Sequence, residues 1–184
     1  MNVLSTKISE VKIVEPKRFG DSRGYFFESY NEQRYFDFGI TSRFVQDNCS
    51  FSCAGTVRGL HFQLNHPQAK LVQVLKGEVF DVAVDIRVGS PTFGQWVGEF
   101  LSVENGKQLY IPEGFAHGFC VVSKEALFSY KCSDYYHPED EGGVLWSDSS
   151  IGITWPDVEP VLSDKDQRYD FLHNLSREML PKDN

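Results

Sequence analysis

Two histidines, a lysine and a tyrosine stand in this chain at spacings that would let them share one pocket. His117 closes the run Gly106-Lys107-Gln108-Leu109-Tyr110-Ile111-Pro112-Glu113-Gly114-Phe115-Ala116-His117. There Gly, Pro, Gly and His are separated by five, one and two residues. His61 follows Gly55 after five residues and is followed by Phe62 and Gln63; Lys70 stands six residues (71–76) before Gly77. Imidazole has the unperturbed pKa nearest neutrality, which suits it to general-base work. A protonated lysine has three donors and no acceptor. Lys70 therefore cannot ligate a cation, and at close range it repels one. A pocket built from these groups should hold something that carries or develops negative charge.

Further candidates lie outside this spacing. Ser163-Asp164-Lys165-Asp166 offers two carboxylates that could orient His61, and sequence separation leaves both open. Tyr130 shares a strand face with Phe128 and Cys132; a buried phenol wants a partner and can serve as a general acid. Arg23, Arg58, Lys70 and Lys165 could meet an anion, and Tyr135-Tyr136 could stack on a base. Taken singly, each is more often a packing residue or a solvated charge. The two half-motifs are what join them.

The elements that must position these side chains are mainly strands. Period-two alternation marks Leu71 to Leu75, Glu78 to Ile86 (with one buried face), Trp96 to Val103, Gln108 to Ile111, Phe119 to Val122 and Leu127 to Cys132. Lys76-Gly77 reads as a turn, and Asn105-Gly106 as a hairpin signal. Short, evenly spaced strands point to a sandwich or barrel. Helical signal is confined to Asn31–Phe38, with Asn31 as cap, and to Tyr169–Met179.

The chain's 184 residues fit one domain with a large core, and 41% hydrophobic and 14% aromatic content suit a globular fold. A net charge of -8 argues against a nucleic-acid partner, which needs a basic face. Cys49, Cys53, Cys120 and Cys132 form no Cys-x-x-Cys pair. The N-terminus has no apolar core of signal length, and no run approaches the ~20 apolar residues of a membrane span. The expectation is a cytoplasmic protein with reduced thiols and no membrane contact. No GxGxxG or Walker motif signals a nucleotide cofactor.

The spacing in the two half-motifs resembles that of the cupin barrels. There His-x-His, a Glu and a final His hold a metal; here the four slots read His61, Gln63, Lys70 and His117, so no metal is expected. The resemblance implies an all-β, cupin-type double-stranded β-helix or jelly-roll barrel with a few short peripheral helices. We expect one domain over residues 1–184. Residues 1–50 would form an extension and dimer arm, 51–140 the barrel core, and 141–184 a segment completing the site.

Nine segments carry a closer resemblance: FGDSRGYFFESYN (19–31), VQDN (45–48), RGLHFQ (58–63), GEVFDVAVDIR (77–87), SPTFGQWVG (90–98), IPEGFAHGF (111–119), YKCSDYYHPEDEGG (130–143), GITWP (152–156) and LSDKD (162–166). Together they resemble the dTDP-4-dehydrorhamnose 3,5-epimerases, metal-free homodimeric cupins of dTDP-L-rhamnose synthesis that use no cofactor. The resemblance implies His61 as the base, Asp166 as its carboxylate partner, Tyr130 as the acid on the opposite face and Lys70 as the stabiliser of an enolate oxygen. It implies substrate contacts from Arg23, Glu28, Gln46, Asp47, Asn48, Arg58, His117, Glu141 and Lys165, with Tyr136 stacking on thymine. In the family, the segment of Arg23 and Glu28 reaches across the dimer. Gln73-Val74-Leu75-Lys76 and Gln167-Arg168-Tyr169-Asp170 depart from the family pattern. Two other readings stay open: a relative that inverts one centre or shifts the ketone of a related dTDP-4-keto-6-deoxysugar, and a silent sugar-nucleotide binding module.

Overall fold

The computed structural model describes residues 1–183. It contains thirteen strands: β1 (Asn2–Ser5), β2 (Lys12–Glu15), β3 (Arg18–Asp21), β4 (Gly24–Phe27), β5 (Gln46–Cys53), β6 (Val57–Gln63), β7 (Lys70–Lys76), β8 (Glu78–Asp85), β9 (Trp96–Ser102), β10 (Gln108–Ile111), β11 (Phe115–Val121), β12 (Glu125–Cys132) and β13 (Glu141–Gly143). They form a six-stranded sheet, β1-β2-β10-β7-β12-β5, a five-stranded sheet, β13-β6-β11-β8-β9, and the separate hairpin β3-β4. Within the sheets every neighbouring pair is antiparallel.

Alternation explains how the sheets meet. Val72 and Val74 of β7, Leu109 and Ile111 of β10, and Ala126 and Phe128 of β12 face Val79 and Ala83 of β8, Val97 and Leu101 of β9, and Phe115, Phe119 and Val121 of β11 in one apolar core. Each Val, Leu, Ile or Phe side chain so withdrawn from water contributes about 1.5–3 kcal/mol before entropy is counted. A second apolar layer lies on the outer face of the five-stranded sheet. There Leu60, Phe80, Val82, Val84 and Ala116 pack under Val144, Ile151, Leu172 and Leu180 of the C-terminal segment. A third forms where Tyr35 and Ile40 cover Val14, Leu71 and Tyr110.

The expected all-β barrel and its strands appear, with four differences. Strand β8 is buried on both faces, not one: the face that alternation leaves to solvent (Val79, Asp81, Ala83 and Asp85) turns in between the two sheets, while the C-terminal segment covers Phe80, Val82 and Val84 on the other. Strand β11 starts at Phe115, four residues earlier than expected. Asn105-Gly106 makes its turn, but β9 and β10 belong to different sheets, so no hairpin results. The Asn105 side chain instead ties the crossing loop, accepting from the amides of Ser102 and Lys107. Finally, the helix expected over Tyr169–Met179 is replaced by short 3-10 turns at Leu172–Asn174 and Arg177–Met179. The Leu172 amide donates to the Asp148 carboxylate at 2.7 Å, and the Asp170 carbonyl accepts from Leu145. Backbone groups committed to Leu145 and Asp148 are lost to a helical ladder. The first helix forms as expected, α1 (Glu32–Asp37), with the Asn31 side chain accepting from the Arg34 amide. Among the described residues no helix is long and apolar enough to cross a membrane.

Candidate active site

A cavity of about 330 Å³ opens between the two sheets, and His61, Gln63, Lys70 and His117 all line it. The mapping of these four positions onto one pocket therefore holds. Strands β6 and β11 bring the histidines together: His61 and His117 are direct register partners, just before an irregularity in the pairing. Two glycines permit this approach. A Cβ on Gly59, whose φ is +123°, would lie 2.5 Å from the Gly118 Cα, and one on Gly118 would lie 2.7 Å from the Arg58 carbonyl.

His61 is held by carboxylates. Its Nε2 lies 2.6 Å from Asp166 Oδ1, and its Nδ1 3.9 Å from Glu141 Oε1. Of the two carboxylates left open by the sequence, Asp166 is the one that reaches it. Asp166 is buried in the 3-10 turn Asp166–Arg168, where its amide donates to Ser163 Oγ at 3.1 Å. Burial works to raise the Asp166 carboxyl pKa, but the hydrogen bond and charge of His61, with donors at Ser163 and Gly59, outweigh it and hold the group below its ordinary value.

Lys70 opens β7 opposite Cys132. Burial pushes its ammonium pKa down, opposed by the neighbouring Cys132 and by the negative fields of Asp81 and Glu141. Those carboxylates act on it as charges at a distance, leaving its donors for a ligand. His117 is committed elsewhere: its Nε2 lies 2.9 and 3.0 Å from the carboxylate oxygens of Asp81. Burial lowers the His117 pKa and raises that of Asp81. Tyr130 enters the cavity from β12, on the opposing sheet, with its ring 5.8 Å from Phe128. Burial raises its phenol pKa, so it stays protonated and able to donate.

Toward the mouth the groups are more exposed. Tyr136 donates its hydroxyl to Glu141 Oε2 at 2.7 Å, and Lys165 Nζ donates to the same oxygen at 2.5 Å. Burial raises the Glu141 carboxyl, but these two donors and the His61 charge outweigh it and hold it below its ordinary value. Arg58 Nε donates to Ser52 Oγ at 3.2 Å, and Gln46 Nε2 to Asn48 Oδ1 at 3.1 Å.

Four expected contacts do not line this cavity in the single chain: Lys165 reaches its rim only through Glu141, and Asp47, Arg23 and Glu28 lie apart from it. Asp47 alternates to the other face of β5 from Gln46 and Asn48, and pairs with Lys131 at 2.9 Å. Arg23 sits at the tip of the β3–β4 hairpin, 87% exposed and paired with Asp21. Glu28 contacts Arg34 and Asn31.

Sequence reasoning missed Asp81, Tyr169 and Ser50. Asp81 carried no signal of its own, because alternation assigns the face it shares with Val79, Ala83 and Asp85 to solvent. The Tyr169 ring lies 5.8 Å from that of His61 and fills the space above Gly143. Ser50 lines the cavity with a buried hydroxyl lacking a partner among the described residues. Its alternation with exposed neighbours on an edge strand gave no signal.

Facing antiparallel sheets around a polar cavity, with a carboxylate-backed histidine on one wall and a phenol and an ammonium on the other, define a cupin-like barrel equipped for acid–base chemistry. The chain belongs to the dTDP-4-dehydrorhamnose 3,5-epimerase family, whose model it matches over residues 5–174. It is 58% identical over 168 residues to the dTDP-4-dehydrorhamnose 3,5-epimerase of Shigella flexneri, covering 90% of this chain and 93% of that one. It is 43% identical over 156 residues to the dTDP-4-dehydrorhamnose 3-epimerase of Streptomyces niveus, covering 84% and 75%. Its structure superposes on dTDP-6-deoxy-D-glucose-3,5-epimerase from Legionella pneumophila Philadelphia 1, in complex with dTDP-4-keto-L-rhamnose. The TM-score is 0.97 at 54% identity, over 100% of this chain and 98% of that one.

Proposed function

We propose that this protein is an isomerase that converts dTDP-4-dehydro-6-deoxy-D-glucose to dTDP-4-dehydro-L-rhamnose by inverting C3 and C5. Both carbons flank the C4 ketone, so loss of either proton gives an enolate with its charge on O4. The observation that carries the chemistry is the placement of base and acid on facing sheets. His61 stands on β6 and Tyr130 on β12, and both line one cavity. His61 binds Asp166 through Nε2, which leaves Nδ1 to take the carbon-bound proton. Asp166 fixes the ring and stabilises the imidazolium that forms. The Lys70 ammonium meets the oxygen where charge develops, a contact that strengthens toward the transition state. Tyr130 returns a proton from the opposite face. The cycle closes when His61 releases its proton to solvent and the Tyr130 phenolate regains one.

Arg58, Lys165, Gln46 and Asn48 hold the nucleotide and sugar, with Tyr136 stacked on the base and Glu141 linking Tyr136 to Lys165. His117, oriented by Asp81, contacts the sugar. Arg23, Glu28 and Asp47 complete the site in a homodimer, with Arg23 and Glu28 entering from the partner on the β3–β4 hairpin. Phe19, Tyr25 and Phe26 of that hairpin are exposed in the single chain, as a docking arm requires. The four cysteines are unpaired, which suits a cytoplasmic protein. The chain works as one domain whose extension, barrel and C-terminal segment all supply the site.

A second reading, inversion at C3 alone, is favoured by the relationship to the Streptomyces niveus 3-epimerase. Turnover in D2O separates the two. Deuterium at both C3 and C5 of the product supports the double epimerase, whereas deuterium at C3 alone supports the single one. No wash-in at either carbon would leave a binding module.

A further inference from the structure

The geometry points to Gln63 as the positioning residue that presents Tyr136 to the nucleotide base; the inference rests on the stacking role proposed above for Tyr136. Gln63 is 5% exposed, on the strand that carries His61 two residues earlier. A side-chain amide has two donor hydrogens and one acceptor oxygen. Here both donors and the oxygen are used, all on loop backbone. Nε2 donates to the carbonyl of His66 at 2.6 Å and to that of Tyr135 at 3.1 Å, and Oε1 accepts from the amide of His137 at 2.8 Å. The Tyr135 carbonyl and the His137 amide are the peptide groups on either side of Tyr136. The remaining amide, that of Tyr136, donates to Gln46 Oε1 at 3.0 Å, and its hydroxyl reaches Glu141.

Four polar groups around Tyr136 are thus tied (the Tyr135 carbonyl, its own amide and hydroxyl, and the His137 amide), and two of the ties belong to one buried amide. Tyr136 is 51% exposed and lies between β12 and the next 3-10 turn, where no ladder holds it. Its direction must come from the barrel. Strand β6 supplies it while fixing His61 on the same strand face, so one strand sets the distance between the base-stacking platform and the proton-abstracting nitrogen. The position whose spacing matches a metal ligand works here as a clamp between the Leu64–Ala69 and Ser133–His137 loops.

The test is calorimetric binding of dTDP, with kcat at saturating sugar nucleotide and melting temperature measured in parallel, for Gln63→Met, Tyr136→Ala and the double variant. Stacking of a base on an aromatic ring is worth roughly 5- to 150-fold in affinity. Gln63→Met should weaken dTDP binding by a factor approaching that of Tyr136→Ala, change kcat by less than about threefold, and add nothing in the Tyr136→Ala background. Gln63→Glu keeps the acceptor for His137 and loses the donors to both carbonyls. It should weaken dTDP in the same direction, and it decides the matter if the methionine variant does not fold. Unchanged dTDP affinity in the Gln63 variants, beside a loss in Tyr136→Ala, overturns the clamp and leaves the stacking role standing. Additive losses in the double variant also overturn it. Unchanged affinity in Tyr136→Ala overturns the stacking role and the clamp with it.

Discussion

The inner and outer ends of the cavity are built differently. At the inner end His61, Lys70, His117 and Tyr130 stand on β6, β7, β11 and β12, and each of those strands is hydrogen-bonded on both sides. Their partners, Asp166 and Asp81, are buried. At the mouth Tyr136 and Lys165 come from irregular segments and Gln46 and Asn48 from an edge strand, while Arg23 and Glu28 are absent from the single chain's cavity. Proton abstraction from carbon needs groups fixed to a fraction of an ångström, which strands supply. Holding a charged, flexible nucleotide needs donors that can close around it, which loops and a partner's arm supply. The inner end should therefore govern kcat, and the outer end affinity.

The sharpest way to break that division is His61→Ala. General-base loss costs ~10²–10⁴-fold, and here it should fall on solvent exchange at both carbons while dTDP affinity stays near its native value. Exchange continuing at the native rate at either carbon would assign that carbon another base. Tyr130→Phe should separate the two half-reactions: deuterium wash-in with retained configuration should outlast inversion, since the phenol acts only after the enolate forms. Equal loss of exchange and inversion would place Tyr130 before that point.

Lys70→Met should lower kcat by about 10²–10³-fold, the cost of removing one preorganised donor to a developing oxyanion, with calorimetric affinity far less affected. Comparable losses in both would make Lys70 a ground-state contact. The same residue gives a pH signature. Burial depresses the Lys70 pKa below its ordinary 10.5. As pH rises through that lowered value the folded protein loses the proton before the unfolded chain does. Lys70 should then cost kcat while the fold gains stability up to about pH 10.5. Burial pushes Tyr130 the other way, above 10.0, so its own loss of a proton comes later than that of a free phenol. An alkaline fall in kcat that persists unshifted in Lys70→Arg would remove Lys70 from the enolate role.

The inner end was also the more legible one. His61, Gln63, Lys70 and His117 could be placed in one pocket from glycine and proline spacing alone, because a barrel strand and its turn leave little choice of length or direction. Asp81 was not legible. Alternation assigns Val79, Asp81, Ala83 and Asp85 to solvent, and only the C-terminal segment packing on Phe80, Val82 and Val84 shows that both faces are buried. That segment was itself misread as a helix, since its leucines are spaced for one while the Leu172 amide is bound to Asp148 and the Asp170 carbonyl to Leu145. Asp166 could be singled out from Asp164 by family resemblance but not by spacing, because more than one hundred residues separate it from His61. Asp47 shows the opposite limit: a matched motif gave the position, and the strand alternation that turns its side chain from its own chain's cavity had to be seen.

The mildest substitution tests the outer end most directly. Arg23 is 87% exposed and bound only to Asp21 within its own chain. If it serves the partner's site, Arg23→Ala should raise KM for the sugar nucleotide with little change in kcat. The size should be about 10-fold, as for one hydrogen bond to a charged group. Mixed dimers then decide whose site it serves. Refolding Arg23→Ala with His61→Ala at equal amounts makes half the dimers mixed. In each, a trans-acting Arg23 leaves one site with both defects and the other with neither, so about a quarter of all sites recover native KM and kcat. A cis-acting Arg23 leaves every mixed site with one defect and restores none. Assayed at substrate well below the raised KM, restoration places the arm in the partner's cavity. Its absence returns Arg23 to its own chain, and the contrast between a self-contained inner end and a shared outer one then fails at the arm.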